Sequence, residues 1–238
     1  GTFNTAVGKY ALWSNTTANS NTAMGYDSLQ ANTTGTLNTA VGFQSMYATT
    51  TGSYNTAIGE QSLRTNTTGA ENAALSYKAL HLNTTGSNNS AGGSGALYSN
   101  TTASNNTAFG AAALYANTTG TSNVALGGQS LEANTTGNSN NALGSQALHA
   151  NTTGVRNIAI GTTSLFTNTT GLENTGVGYN ALYYNTTGDW NTAIGRSSMT
   201  ANTTADGNTA VGGESLRYNT TGAYNTAIGR SAMYANTT

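Results

Sequence analysis

Few side chains in this chain could do chemistry, and their spacing argues against most of it. The only two histidines, His81 and His149, lie far apart in sequence, and there is no cysteine. Thiolate metal sites, disulfides and a Cys/His nucleophile are therefore excluded. No Ser, His and carboxylate grouping can be argued, because nearly every serine falls at a position that recurs along the chain. The fragment Gly92-Gly93-Ser94-Gly95 lacks the strand-to-helix context of a phosphate loop and reads as a degenerate copy of a recurring segment. Asparagine followed by two threonines, in contrast, is abundant. It fits the acceptor pattern for N-linked sugars at Asn15, Asn32, Asn66, Asn83, Asn100, Asn117, Asn134, Asn151, Asn168, Asn185, Asn202, Asn219 and Asn236. The sequence predicts no catalysis, no cofactor and no metal.

Those asparagines recur in a strict frame. Blocks ending in NTT or TTT begin at residues 1, 18, 35, 52, 69, 86, 103, 120, 137, 154, 171, 188, 205 and 222, so fourteen blocks of 17 residues fill the 238 without an insertion. The consensus is G-x-x-N-T-A-[VIL]-G-x-x-[AS]-L-x-x-N-T-T, with positions numbered one to seventeen. Position four is Asn in every block: Asn4, Asn21, Asn38, Asn55, Asn72, Asn89, Asn106, Asn123, Asn140, Asn157, Asn174, Asn191, Asn208 and Asn225. Positions sixteen and seventeen are always Thr, position twelve is Leu or Met, position eleven is Ala or Ser, and position fifteen is Asn except at Thr49. An unbroken period of this kind is the signature of stacked repeats forming a single array over residues 1–238.

A block of 17 residues is too short for a helix pair, and Gly, Asn and Thr are poor in helix interiors. The predicted fold is all-β, a β-solenoid or β-roll of fourteen 17-residue coils. Beta-branched residues at five and seven favour an extended N-T-A-[VI]-G strand, with glycine at eight and one permitting corners. The segment around positions eleven and twelve reads equally as a second strand or as one helical turn. Asparagines at four and fifteen either form amide ladders between coils or support local turns. Positions six and seven are both apolar, as are eleven and twelve, and adjacent strand residues point to opposite faces. One face can fill the coil, while the other needs a cover. The aliphatic content of a block is also small against the entropy of ordering it, which favours association with other chains.

Composition narrows the partners. Charged residues make up 6% and the formal net charge is -1, so no basic stripe exists to meet nucleic acid. No apolar run reaches the roughly 20 residues that would span a bilayer. The chain opens at Gly1 without a signal-like segment, and neither end departs from the consensus. We therefore expect either a longer parent protein or coils that join end to end in a filament.

All Asp, Glu, Lys and Arg residues fall at positions two, three, nine, ten or thirteen, as Asp189, Arg156, Glu60, Lys78 and Arg64 illustrate. These five positions are expected to face water and the others mostly not. Position thirteen also carries Trp13, Tyr47, Tyr98, Tyr115, Phe166, Tyr183 and Tyr234. Rings there and at position three (Tyr54, Trp190, Tyr224) could stack on sugar faces. His81 and His149 share position thirteen, four coils apart, so at coil spacing they would be separated by about 19 Å, too far to share a metal. Sequon asparagines would stand roughly 5 Å apart, too crowded for a sugar on each. Ice binding would need flat paired ranks of threonine, whereas neighbouring Thr16 and Thr17 would point to opposite sides.

At "NTAVG", "NTAMG", "NTAIG" and "NIAIG", each followed by "AL" or "SL" in many blocks, the chain resembles two related groups of surface proteins over its whole length. One is the head repeat of trimeric autotransporter adhesins, whose units wind into a left-handed β-roll of three associated chains. The other comprises long repeat proteins and phage-like tail fibres with runs of NTAIGxxALxxNTTG, often ending in an endosialidase-type intramolecular chaperone domain. The resemblance implies a homotrimeric extracellular fibre, on a cell surface or virion, that is structural or adhesive and carries a binding tip or binds along its length; cell-surface glycans are the candidate partner for the outer rings. Fourteen coils would give a rod of about 67 Å.

Overall fold

The computed structural model describes residues 1–238. In each block the residues at five to seven form a three-residue strand: an outward residue, an inward small one and an outward residue that is aliphatic except at Gly92 and Phe109. Two compact units arise, Gly1–Thr121 and Ser122–Thr238. The first holds β1 (Thr5–Val7), β2 (Thr22–Met24), β3 (Thr39–Val41), β4 (Thr56–Ile58), β5 (Ala73–Leu75), β6 (Ser90–Gly92) and β7 (Thr107–Phe109). The second holds β8 (Val124–Leu126), β9 (Asn141–Leu143), β10 (Ile158–Ile160), β11 (Thr175–Val177), β12 (Thr192–Ile194), β13 (Thr209–Val211) and β14 (Thr226–Ile228).

Within each unit the strands pair in parallel and in chain order. Their register is one block: Thr39 pairs Thr56, Ala40 pairs Ala57 and Val41 pairs Ile58, and Thr192, Ala193 and Ile194 pair Thr209, Ala210 and Val211. Like sits over like, and each block is one coil of an all-β solenoid.

Each coil has one strand only. The segment from nine to fourteen, open between a strand and a helical turn from sequence, is neither. It is a chain of turns with left-handed backbone at positions ten and twelve of every coil, for example Gln61 at φ 55° and Leu63 at φ 50°. Position three is left-handed as well, as at Tyr54 with φ 61°. This backbone is still bonded between coils. Gln61 N–H donates back to the Phe43 carbonyl at 2.8 Å, and Leu63 N–H donates forward to the Ala79 carbonyl at 2.9 Å. A local bond from Ser62 N–H to the Gly59 carbonyl (3.3 Å) closes the turn.

The twisted turn changes which side chains face inward. Positions six and seven alternate as a strand should, with Ala57 buried and Ile58 exposed. Positions eleven and twelve do not alternate: Ala79 and Leu80 are both buried, because the left-handed residue between straight segments turns both side chains into the coil. The core is thus alanine at six except for Gly176, Ala or Ser at eleven and Leu or Met at twelve. Where position eleven is serine, its hydroxyl donates to a backbone carbonyl: that of position six in the next coil at most of them, as from Ser45 to Ala57 at 3.0 Å, and that of position eight in the same coil at Ser62 and Ser130. That bond lets a hydroxyl take an alanine's place in the core.

The strand face that needs a cover is position seven, which lies outside on the sheet face. One water-facing expectation is corrected. Position ten, expected outside, is taken in where the turn packs it, and Asp27 and Ser197 are buried. Glycine at eight is required by close approach: a Cβ on Gly42 (φ 131°) would lie 2.6 Å from the Gly59 carbonyl oxygen. Ser76 alone adopts that backbone with a side chain, at φ 132°.

Candidate functional site

The asparagine columns are the most completely bonded feature of the coil. At position four, the Asn38 side-chain carbonyl accepts the Asn55 backbone N–H at 2.9 Å, and Asn38 Nδ2 donates to the Gly52 carbonyl of the next coil at 2.8 Å. At position fifteen, Asn83 Nδ2 donates to Asn66 Oδ1 and to the Gly86 carbonyl, both at 2.9 Å. The Gly86 carbonyl also accepts Asn72 Nδ2 at 2.9 Å, so two amides clamp one corner. Ladder and turn support, which the sequence leaves open as alternatives, are performed here by the same side chains.

This geometry decides what the sequons can carry. Asn66, Asn83, Asn168 and the other position-fifteen residues inside the stacks are fully buried, with both amide hydrogens engaged at Asn83 and Asn168. A sugar on Nδ2 would replace one of those hydrogens and push the neighbouring coil away. In the folded coil these sequons are ladder rungs, not sugar acceptors. Only Asn15 and Asn236 are part-exposed.

Thr49 is the break in that column, and its effect is visible. With no amide to donate upward, it leaves Asn32 Oδ1 buried without a partner, and its own Oγ1 is unpaired too. Restoring the column with Thr49→Asn is therefore expected to raise stability by about 1–3 kcal/mol, the cost of a buried orphan. A higher urea midpoint with an unchanged slope would report it. An unchanged or lower midpoint would show that the column does not act as a bonded ladder.

Threonine sixteen is turned into the stack, with Thr67 Oγ1 donating to the Thr84 carbonyl at 3.0 Å, while Thr68 is exposed. The two threonines do point apart, and no paired threonine rank forms there.

The outer columns hold the candidate contact surfaces. Position thirteen, expected to be a water-facing column, is partly sunk, and its rings stack at coil spacing. Centroids are 5.1 Å apart for His81–Tyr98, 5.0 Å for Tyr98–Tyr115, 4.9 Å for His149–Phe166 and 5.1 Å for Phe166–Tyr183. His81, expected at the surface, is buried, with Nδ1 3.1 Å from the Gln61 carbonyl. Burial pushes its imidazole below the ordinary value, and Arg64 and Lys78 push the same way against that hydrogen bond. His149 Nε2 lies 3.0 Å from Glu132. No three His, Asp or Glu side chains come together as metal ligands would. The position-three rings Tyr54, Trp190 and Tyr224 are exposed, and Trp190 Nε1 donates to Glu173 at 3.1 Å.

Position seven forms a second kind of surface. In the first unit it runs Val7, Met24, Val41, Ile58, Leu75, Gly92 and Phe109, and in the second Leu126, Leu143, Ile160, Val177, Ile194, Val211 and Ile228. Ile58 is 46% exposed and Ile228 72%. No charge interrupts the column in either unit.

The class this geometry defines is a parallel β-solenoid of 17-residue coils. No protein-family profile, curated protein or solved structure matches the chain.

Proposed function

We propose that this protein is the shaft of an extracellular fibre, on a cell surface or a virion, formed by self-association of identical chains as a homotrimer. The observation that carries the reading is the uncharged aliphatic column at position seven, which lies in register along each sheet and which a lone chain leaves in water. A contiguous apolar stripe of this kind marks an interaction surface. Because every chain carries the same stripe, a symmetric assembly buries all copies at once. Three is the number that the resemblance to adhesin heads supplies. The role is mechanical: ladders resist unfolding and proteolysis, and the variable outer columns set what the fibre touches. Catalysis has no part in it.

Light scattering on the purified chain tests this. The wild type is expected at three times the 24.1 kDa chain mass. Ile58→Asp combined with Ile194→Asp is expected to release monomers that keep the circular dichroism of the coil, because both side chains are exposed and their loss leaves the core intact. A monomeric wild type would overturn the assembly.

One observation favours a second reading, an ice-facing surface. Strand positions five and seven turn outward together, so Thr39 and Thr56 run beside Val41 and Ile58 as two flat ranks. That reading needs a monomer, and a monomer that depresses the freezing point without lowering the melting point would support it in place of the fibre.

A further inference from the structure

A groove on the turn segment arises where the repeat loses bulk. At positions nine and ten most early coils carry two sizeable side chains, such as Phe43 with Gln44, Glu60 with Gln61 and Tyr77 with Lys78. The next two coils carry Ser94-Gly95 and Ala111-Ala112. This truncation opens a groove of about 430 Å³ lined by Gly95 and Ala112, with Tyr77 and Lys78 of the preceding coil and the rings of Tyr98 and Tyr115. Two coils give it a length of roughly 10 Å, the size of one or two sugar rings. The second unit opens a groove of about 380 Å³ in the same part of its coils, around Thr163, Tyr179, Asn180 and Tyr183.

We propose that the groove beside Lys78 binds a carboxylated sugar residue of an acidic glycan. Tyr98 and Tyr115 stack within 8° of parallel, so their faces meet each other and their edges and hydroxyls are left for the groove. Ring edges are electropositive, and phenols are hydrogen-bond donors. Lys78, the one charged side chain lining the groove, holds its ammonium 4.9 Å from the centre of the Tyr77 ring. All of these groups attract negative charge, and the exposed Tyr77 ring offers a surface for the C–H groups of a pyranose. The groove lies on the turn, away from position seven, so the inference does not depend on how many chains assemble.

Titration of the full chain with trigalacturonate, with maltotriose as the neutral comparator, tests this by calorimetry. Trigalacturonate is expected to bind roughly tenfold or more tightly than maltotriose, as one charge-assisted contact would give. Lys78→Gln should erase that preference. Ala112→Gln should abolish binding by refilling the column, and it should fold, because Gln44 and Gln61 hold the same position at φ 51° and 55° beside 56° for Ala112. Equal affinity for the two sugars overturns the carboxylate assignment. Absence of binding, or binding that survives Ala112→Gln in a correctly folded variant, overturns the site.

Discussion

Asn72→Ala is expected to destabilise the first unit by roughly 3–5 kcal/mol. The side chain is buried and joins three coils. Its Oδ1 accepts both the backbone N–H of Asn89 at 3.0 Å and Asn89 Nδ2 at 3.1 Å. Its Nδ2 donates to the Gly86 carbonyl at 2.9 Å and to Asn55 Oδ1 at 3.2 Å. After truncation the Gly86 carbonyl keeps Asn83, and Asn89 Nδ2 keeps the Ala103 carbonyl at 2.9 Å. The Asn89 N–H keeps nothing and has no route to water, so its orphaning, together with the cavity, dominates the cost. Urea unfolding gives the magnitude, and hydrogen exchange should show the loss of protection centred on Asn89. Asn88→Ala, one residue away but exposed, is the control and should cost no more than about 1 kcal/mol, the loss of asparagine's preference for its left-handed φ of 59°. Equal effects from the two would refute the ladder as a source of stability.

Leu97→Ala should cost about 2–5 kcal/mol, the range for removing a buried leucine side chain. Leu80, Leu97 and Leu114 are fully buried in successive coils, so the cavity opens in the middle of a column rather than at its end. The backbone leaves the comparison unchanged: Leu97 sits at φ 52°, and left-handed geometry costs leucine and alanine alike, so the strain cancels and the loss reports packing alone. Leu97→Met is the sensitive comparison: Met46 and Met199 occupy position twelve of other coils at φ 50° and 48°, so it should cost less than about 1.5 kcal/mol. Thermal unfolding of the two variants side by side would show whether packing volume sets the loss. Similar losses for both would contradict that account.

The parts of this architecture that sequence reasoning recovers are those written as residue identity at a fixed interval. Asn38, Asn55 and Asn72 recur because each rung must meet an identical rung, so the period and the stacked coil can be read directly. The outward turn of Ile58 follows from its neighbour Ala57, since a strand cannot bury both. The turn geometry is different. Left-handed φ usually announces itself through glycine, yet Gln61, Leu63 and Tyr54 adopt it with ordinary side chains, held by bonds between coils that no local pattern encodes. The joint burial of Ala79 and Leu80 was hidden for the same reason. His81 looked like a surface residue because its column carries charges elsewhere. Its burial depends on Tyr98 stacking against it from the next coil. The groove beside Lys78 was legible only as a run of small residues, Ser94, Gly95, Ala111 and Ala112, until the walls around them were placed.

The one-block register has a consequence for how such a gene can change. Because Thr39 faces Thr56 and each later residue faces its counterpart, a duplication or deletion arising from misaligned recombination leaves every column intact if it spans a whole number of blocks. A change of any other length throws the asparagine rungs out of alignment from that point onward. Length in this molecule is thus quantised: natural relatives should differ in size by multiples of one coil, and selection can lengthen or shorten the array without redesigning any part of it.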